Sequence, residues 1–521
     1  MPTFRSLFRL SAVAATLLGV TQAHAAPLST RLDVRAATTS LTQPAREGDD
    51  AREEPAPKPR TGPVLALAEV LDSLARHDPR MRSADEAIRG AKGQLKANRG
   101  FYDPRLRARG VWEPFFHNAI LDARVEQPTT LWGMTAWAGW QVGVGRRPYY
   151  ANTFDSVLDV DDRVGSRDVR STAGTLSAGV TLPLWRDGRI DRARADIRQS
   201  TMERDRLQDA RDARRLELEA QAATAYWSWV AAGLQLEIEK TLLDLATERD
   251  DALKRRIELG ALDSLAAVDN RRLILDRERR VVAAERGFQA AGLALSLYLR
   301  DNNGDPVVPT DARLPGRLPS TTNPRNEDIE AEIAGAIERR PDRRATMTMR
   351  GQADVELRWA KNQRAPRVDL SGWVAQYLGR PLAPELRRTS LVAAVSIEIP
   401  IPMRAARGQV EATQAAMSMI AADLRLLDDR IAVQVRDGHS ALLAAYHRAR
   451  LAAQEVELTR ELARAEYRKF QLGAGDLMLV NLRELASADA ATAEVQAVAD
   501  YFVAKANLEV ALGTGVQPVI P

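Results

Sequence analysis

Apolar side chains recur along this chain in two rhythms, one suited to helices and one to strands. In the first proline-free stretch they fall at Leu216, Ala220, Ala223, Trp227, Val230, Leu234, Ile238, Leu242 and Leu245, with Arg, Asp, Glu and Gln at many positions between. Spacings of three and four mark a helix that supercoils against a neighbour. A second stripe uses smaller residues: Ala441, Ala444, Ala445, Ala449, Ala452, Ala453 and Val456. Both stripes lie in stretches without proline, 184–305 and 403–517, although the chain has 26 prolines. Proline removes a backbone donor and clashes with the preceding helical turn, so these gaps predict unusually long helices. A helix over 189–259 would extend roughly 105 Å. Its partner over 264–299 is about half that length. Helices over 65–98 and 328–361 have the size to complete two antiparallel pairs.

The other rhythm has a period of two. Leu176, Ala178, Val180 and Leu182 alternate with Thr175, Ser177, Gly179 and Thr181. Leu391, Ala393, Val395, Ile397 and Ile399 oppose Val392, Ala394, Ser396 and Glu398, while Val368, Leu370, Gly372 and Val374 oppose Asp369, Ser371, Trp373 and Ala375. Arg105, Arg107 and Arg109 alternate with Leu106, Ala108 and Gly110. Such alternation over about ten residues is the signature of strands in a transmembrane barrel. Four strands cannot close a barrel, and lipid tolerates no open sheet edge, so a chain of this kind must oligomerise. An insert over 114–174 has no counterpart in the second half, and within it 119–126 and 134–145 read as one more strand pair. Two placements fit that pair: an extension of the barrel or an external hairpin.

The two rhythms occur twice in the same order. One interval separates Pro79 from Pro341 and Pro104 from Pro366. A single shorter interval separates Gly260 from Gly473, Leu259 from Leu472, Ala231 from Ala444 and Leu299 from Leu512. The chain therefore reads as one half duplicated. It divides into a signal peptide (1–25), a flexible lead (26–62), a first repeat (63–303), a linker (304–324), a second repeat (325–513) and a tail (514–521).

The signal peptide rests on Arg5 and Arg9, a short apolar run, and Ala23-His24-Ala25 as the cleavage site. With no cysteine, disulfides and thiol-held metals are excluded. The 74 basic and 70 acidic residues give dense charge of both signs, which fits solvated helix faces and implies no nucleic acid partner. His439 and His447 stand eight apart on one helix and cannot share a metal at i, i+4 spacing. No phosphate loop or nucleophile elbow is present, so the chain reads as no enzyme, with no catalytic residue, cofactor or metal.

Particular segments resemble a known family. They are Val180-Thr181-Leu182-Pro183-Leu184-Trp185 followed by Gly188-Arg189, and Ile397-Glu398-Ile399-Pro400-Ile401-Pro402 followed by Gly408. The helical turns Arg256-Ile257-Glu258-Leu259-Gly260 and Tyr467-Arg468-Lys469-Phe470-Gln471-Leu472-Gly473 join them. In this order, repeated twice over 63–513, they resemble the TolC-like outer membrane efflux proteins. The resemblance implies a mainly α fold with a β-barrel part: long antiparallel coiled-coil helices and membrane β-hairpins, duplicated, in a trimeric channel-tunnel. It implies a homotrimer with twelve principal strands in the outer membrane, and a helical tunnel in the periplasm. It also implies a passive exit duct served by a periplasmic adaptor and an inner-membrane transporter. On that basis Arg256, Leu259, Gly260, Arg468, Leu472 and Gly473 are candidates for adaptor docking. The family's best-known member narrows its entrance with aspartates, where this chain has Leu479 and Leu482, with Asp476 and Glu484 nearby. The competing reading of the chain is a coiled-coil surface protein such as an adhesin stalk, and the cargo of a duct (drug, metal ion or protein) stays open.

Overall fold

The computed structural model describes residues 63–113, 118–144, 173–259, 264–324, 328–380 and 388–518. The signal peptide, the flexible lead, the outer part of the insert and Gly260 lie outside the described residues.

Helices α1 (Leu67–His77) and α2 (Pro79–Arg99) meet at Asp78, whose carboxylate accepts a 2.8 Å hydrogen bond from the Arg80 amide. Proline at the first helical position loses no hydrogen bond there, so the helical stretch over 65–98 turns a corner at Pro79. The second half repeats the corner at Pro341, between α5 (Ile329–Arg339) and α6 (Pro341–Asn362). The long helices are α3 (Arg192–Glu258, 67 residues) and α7 (Arg404–Gln471, 68 residues). Each is about 100 Å long at the standard rise. They are followed by α4 (Leu265–Leu295) and α8 (Leu477–Ala511).

Between the sheet and the middle, α3 packs against α2 and α6, and α6 packs against α7. Beyond the middle, α3 packs against α4 and α8, and α8 packs against α7. On each side of the middle, four of the described helices therefore stand side by side. The main apolar core lies where the two levels join. There Trp227 stacks on Phe502 at 4.5 Å, Trp229 on Phe288 at 6.0 Å, and the buried Tyr226 hydroxyl donates to the Leu65 carbonyl at 2.8 Å. Full burial of such side chains contributes about 1.5–3 kcal/mol each.

The segment 304–324 is strapped down at this level. Leu314 is buried over Gly233, where a Cβ would come within 2.4 Å of a Leu314 methyl. The Leu65 amide donates to the Arg313 carbonyl at 2.9 Å, and the Tyr501 hydroxyl donates to the Thr322 carbonyl at 2.9 Å.

The six described strands are β1 (Arg105–Glu113), β2 (Asn118–Pro128), β3 (Thr135–Val144), β4 (Thr175–Pro183), β5 (Arg367–Tyr377) and β6 (Ser390–Glu398). They form one antiparallel sheet in sequence order. The insert strands β2 and β3 sit inside it, between β1 and β4. Among the described residues each chain therefore supplies six strands to the sheet: the four principal strands the family resemblance implies, and the insert pair, which joins the sheet instead of standing outside it. No described helix is long and apolar enough to cross a membrane.

Candidate functional site

Because opposed residues in a ladder point to one side, the register assigns every strand position to a face. One face bears Leu106, Ala108, Leu121, Val125, Ala138, Trp140, Leu176, Val180, Leu370, Val374, Leu391, Val395 and Ile397. It is apolar nearly throughout, and its large side chains are exposed. The other face holds Arg105, Arg107, Asp122, Arg124, Glu126, Gln141, Ser177, Thr181, Arg367, Asp369, Ser371 and Glu398. On it Arg124 meets Glu126 at 2.8 Å, Arg367 meets Asp369 at 2.8 Å, and Thr181 meets Ser371 at 3.3 Å. Ser177, Asp369 and Ser371 are buried although they are polar. Water would select the reverse arrangement, with the polar side chains outside. An exposed apolar face opposite a partly buried polar one suits lipid outside and water within.

The far ends of the helix pairs hold the residues singled out for docking. Leu259, just past the end of α3, and Leu472, just past the end of α7, are 82% and 85% exposed. Gly473 has φ +75°, with its amide donating to the Phe470 carbonyl at 3.1 Å and the Ala474 amide to the Lys469 carbonyl at 3.0 Å. These two bonds form a Schellman cap, which requires the left-handed conformation at that position. A Cβ added at Gly473 would meet nothing within 4 Å, so the turn leaves open space around it. Arg468 is exposed in the last turn of α7, and the Arg256 backbone lies in the last turn of α3.

The four entrance candidates are placed differently from one another. Asp476 caps α8, its carboxylate accepting from the Met478 amide at 3.1 Å. Leu479 is half-buried and Leu482 is exposed, while Val480 packs inward on Leu253 and Phe470. Glu484 is enclosed. It pairs with the Arg249 guanidinium of α3, and Arg277 Nη2 of α4 lies 3.8 Å from its other oxygen. Arg249 also donates to Asn481 at 2.6 Å, and Arg277, only 2% exposed, donates to the Leu242 carbonyl at 3.3 Å. Burial pulls the Arg277 pKa below the usual guanidinium range, against the opposing pull of Glu484. Close by, burial pushes the Glu239 carboxyl up, opposed by Arg280 at 3.9 Å. This cluster ties α3, α4 and α8 together a few turns from the tips. The sequence reading missed Arg249, Arg277 and Glu239. A signal was available, because Asn270 and Arg277 interrupt the inward stripe that continues through Ile274 and Val281.

No family model and no curated protein matches this sequence. Solved structures do. The open state of the Neisseria gonorrhoeae MtrE outer membrane channel is 18% identical, with a TM-score of 0.60 over 88% of this chain and 90% of that one. The outer membrane protein VceC from Vibrio cholerae is 16% identical, with a TM-score of 0.60 over 87% and 97% of the two chains. The Campylobacter jejuni CmeC outer membrane channel is 12% identical, with a TM-score of 0.59 over 87% and 86%. At such identities the likeness is one of fold: long helices continuing an antiparallel sheet, the architecture of TolC-like outer membrane channels.

Proposed function

We propose that this chain forms, as a homotrimer in the outer membrane, the passive exit duct of a tripartite export system. A periplasmic adaptor seats on its helical tips, and an inner-membrane transporter delivers cargo through that adaptor. The observation supporting this most strongly is the two-faced sheet with open edges. Its apolar face has a place only in lipid, and among the described residues β1 and β6 are unpaired on their outer sides. The helices leave open flanks on the same two sides: α2 and α4 follow the β1 edge, and α7 follows the β6 edge. Exposed apolar residues run along both flanks at heptad spacing, Val268, Leu275 and Val282 on α4 and Leu451 and Leu458 on α7. One set of contacts, repeated around a ring, would cover all of them.

Such a duct does no chemistry. The polar face lets hydrated cargo pass, the apolar face holds the ring in lipid, and the direction of transport is set by the pump. Leu259, Leu472 and Gly473 offer the adaptor exposed side chains beside an open turn. Leu479 and Leu482 are the apolar candidates for narrowing the entrance, while Asp476 caps its helix and Glu484 is held between arginines.

Two measurements test this. The purified chain in a planar bilayer should give discrete conductance steps, and a trimer without them would remove the duct. Leu472→Asp, at a site too exposed to affect folding, should abolish export while trimers still assemble. Normal export from that variant would remove the tip from its docking role.

A further inference from the structure

We infer that three copies of this chain close an eighteen-stranded barrel as wide as the helical tunnel it continues, with β6 of one copy paired to β1 of the next. The inference rests on the trimeric duct proposed above and adds the insert strands to the twelve principal strands that the family resemblance implies. Its first support is that β2 and β3 are built into the sheet and fastened at its helix end. Gln127 donates to the Tyr102 carbonyl at 2.6 Å, and Arg194 at the start of α3 donates to the Asp187 and Gly188 carbonyls, each at 2.8 Å. The turn between β2 and β3 seats against that loop. A Cβ at Gly133 would come within 2.7 Å of the Asp187 carbonyl, and one at Gly188 within 2.7 Å of Trp132 Nε1. An external hairpin would have no reason to fit the root of α3 so closely.

The register supplies the geometry. The line of paired residues through Arg105 runs to Glu126, Trp137, Gly179, Trp373 and Val392. The helix end of β6 is Glu398, six residues further along the strand. A rise of about 20 Å over five steps of about 4.8 Å is a strand tilt of about 40°, within the range of closed barrels. At that tilt eighteen strands span a perimeter of about 110 Å, and twelve would span about 75 Å. Four helices per copy make twelve around the tunnel, a perimeter of about 95–120 Å at ordinary helix spacing. The perimeter of the eighteen-stranded barrel falls within that range, so barrel and tunnel meet at equal width.

The edges suit each other. β1 runs away from the helices and β6 toward them, so the new pair is antiparallel like the other five. On the polar face, Arg105 and Arg107 near the helix end of β1 come level with Glu398 of the next copy. On the apolar face, Leu106 and Leu391 on the edge strands are 75% and 80% exposed, against 50% for Leu176 and 37% for Trp140 inside the sheet. That excess is the area a neighbouring strand would cover.

Electron cryomicroscopy of the trimer in lipid nanodiscs counts the strands directly, and eighteen are expected in cross-section. A trimer with twelve, its β2–β3 hairpin outside, would overturn the inference and leave the duct standing. A chain that never trimerises would remove both, and strands from a foreign protein at the β1 edge would overturn the seam. Since the chain contains no cysteine, Glu398→Cys combined with Arg105→Cys or with Arg107→Cys reports the seam independently. One of the two combinations should give covalent trimers under oxidation. Assembled trimers that stay unlinked in both would refute the β6–β1 pairing.

Discussion

Val395→Arg separates a lipid-facing sheet from a water-facing one. Val395 lies near the middle of β6 opposite Leu370, 60% exposed on the apolar face. In water, trimming a side chain already so exposed costs less than about 1 kcal/mol, and the arginine would be solvated. At mid-bilayer, arginine on the outside of a barrel costs about 2–4 kcal/mol. Three copies per ring raise that to about 6–12 kcal/mol for the assembled barrel. Ser396→Arg, one residue along, turns the same charge to the polar face beside Asp369 and should be tolerated. The assay is folding of each variant into lipid vesicles, scored as detergent-resistant trimer on unheated gels and as the urea midpoint. The expected result is loss of trimer for Val395→Arg with near-normal yield for Ser396→Arg. Equal yields and midpoints for the two would refute the assignment of faces.

Three further outcomes follow from the helical part. Glu484→Ala strands Arg249 and Arg277 without their carboxylate, which should cost about 3–5 kcal/mol. It should appear as earlier protease cleavage near the tips, with partial recovery when Arg277→Met is added. Glu239 has its pKa raised by burial, so the folded state holds the proton more tightly. The native chain is then favoured in acid and loses that advantage as pH rises through the folded pKa. Glu239→Gln should therefore melt higher than the parent at neutral pH and equally at acid pH, and a pH-independent difference would contradict this. Gly233→Ala drives a methyl into Leu314 and should destabilise by about 1–3 kcal/mol, with faster proteolysis within 304–324; an unchanged cleavage rate would show that the strap is not held there.

The proline-free stretches and the two apolar periods fixed the kinds of elements and their order, because periodicity is a local property of the backbone. Alternation at 391–399 told which side chains share a face of β6, and the positions of Pro79 and Pro341 told where two helices would turn. Alternation does not name a strand's neighbour. The insert strands could be read from 119–126 and 134–145, yet only pairing at distances of tens of residues put them between β1 and β4. Glu484 shows the same limit in the helices. Its position after the second tip glycine suggested an entrance ring, but its surroundings depend on Arg249 and Arg277 arriving from α3 and α4. What a residue's own neighbours in sequence dictate was written in the chain; which edges stay open, and which charges are enclosed, was decided by how distant segments pack.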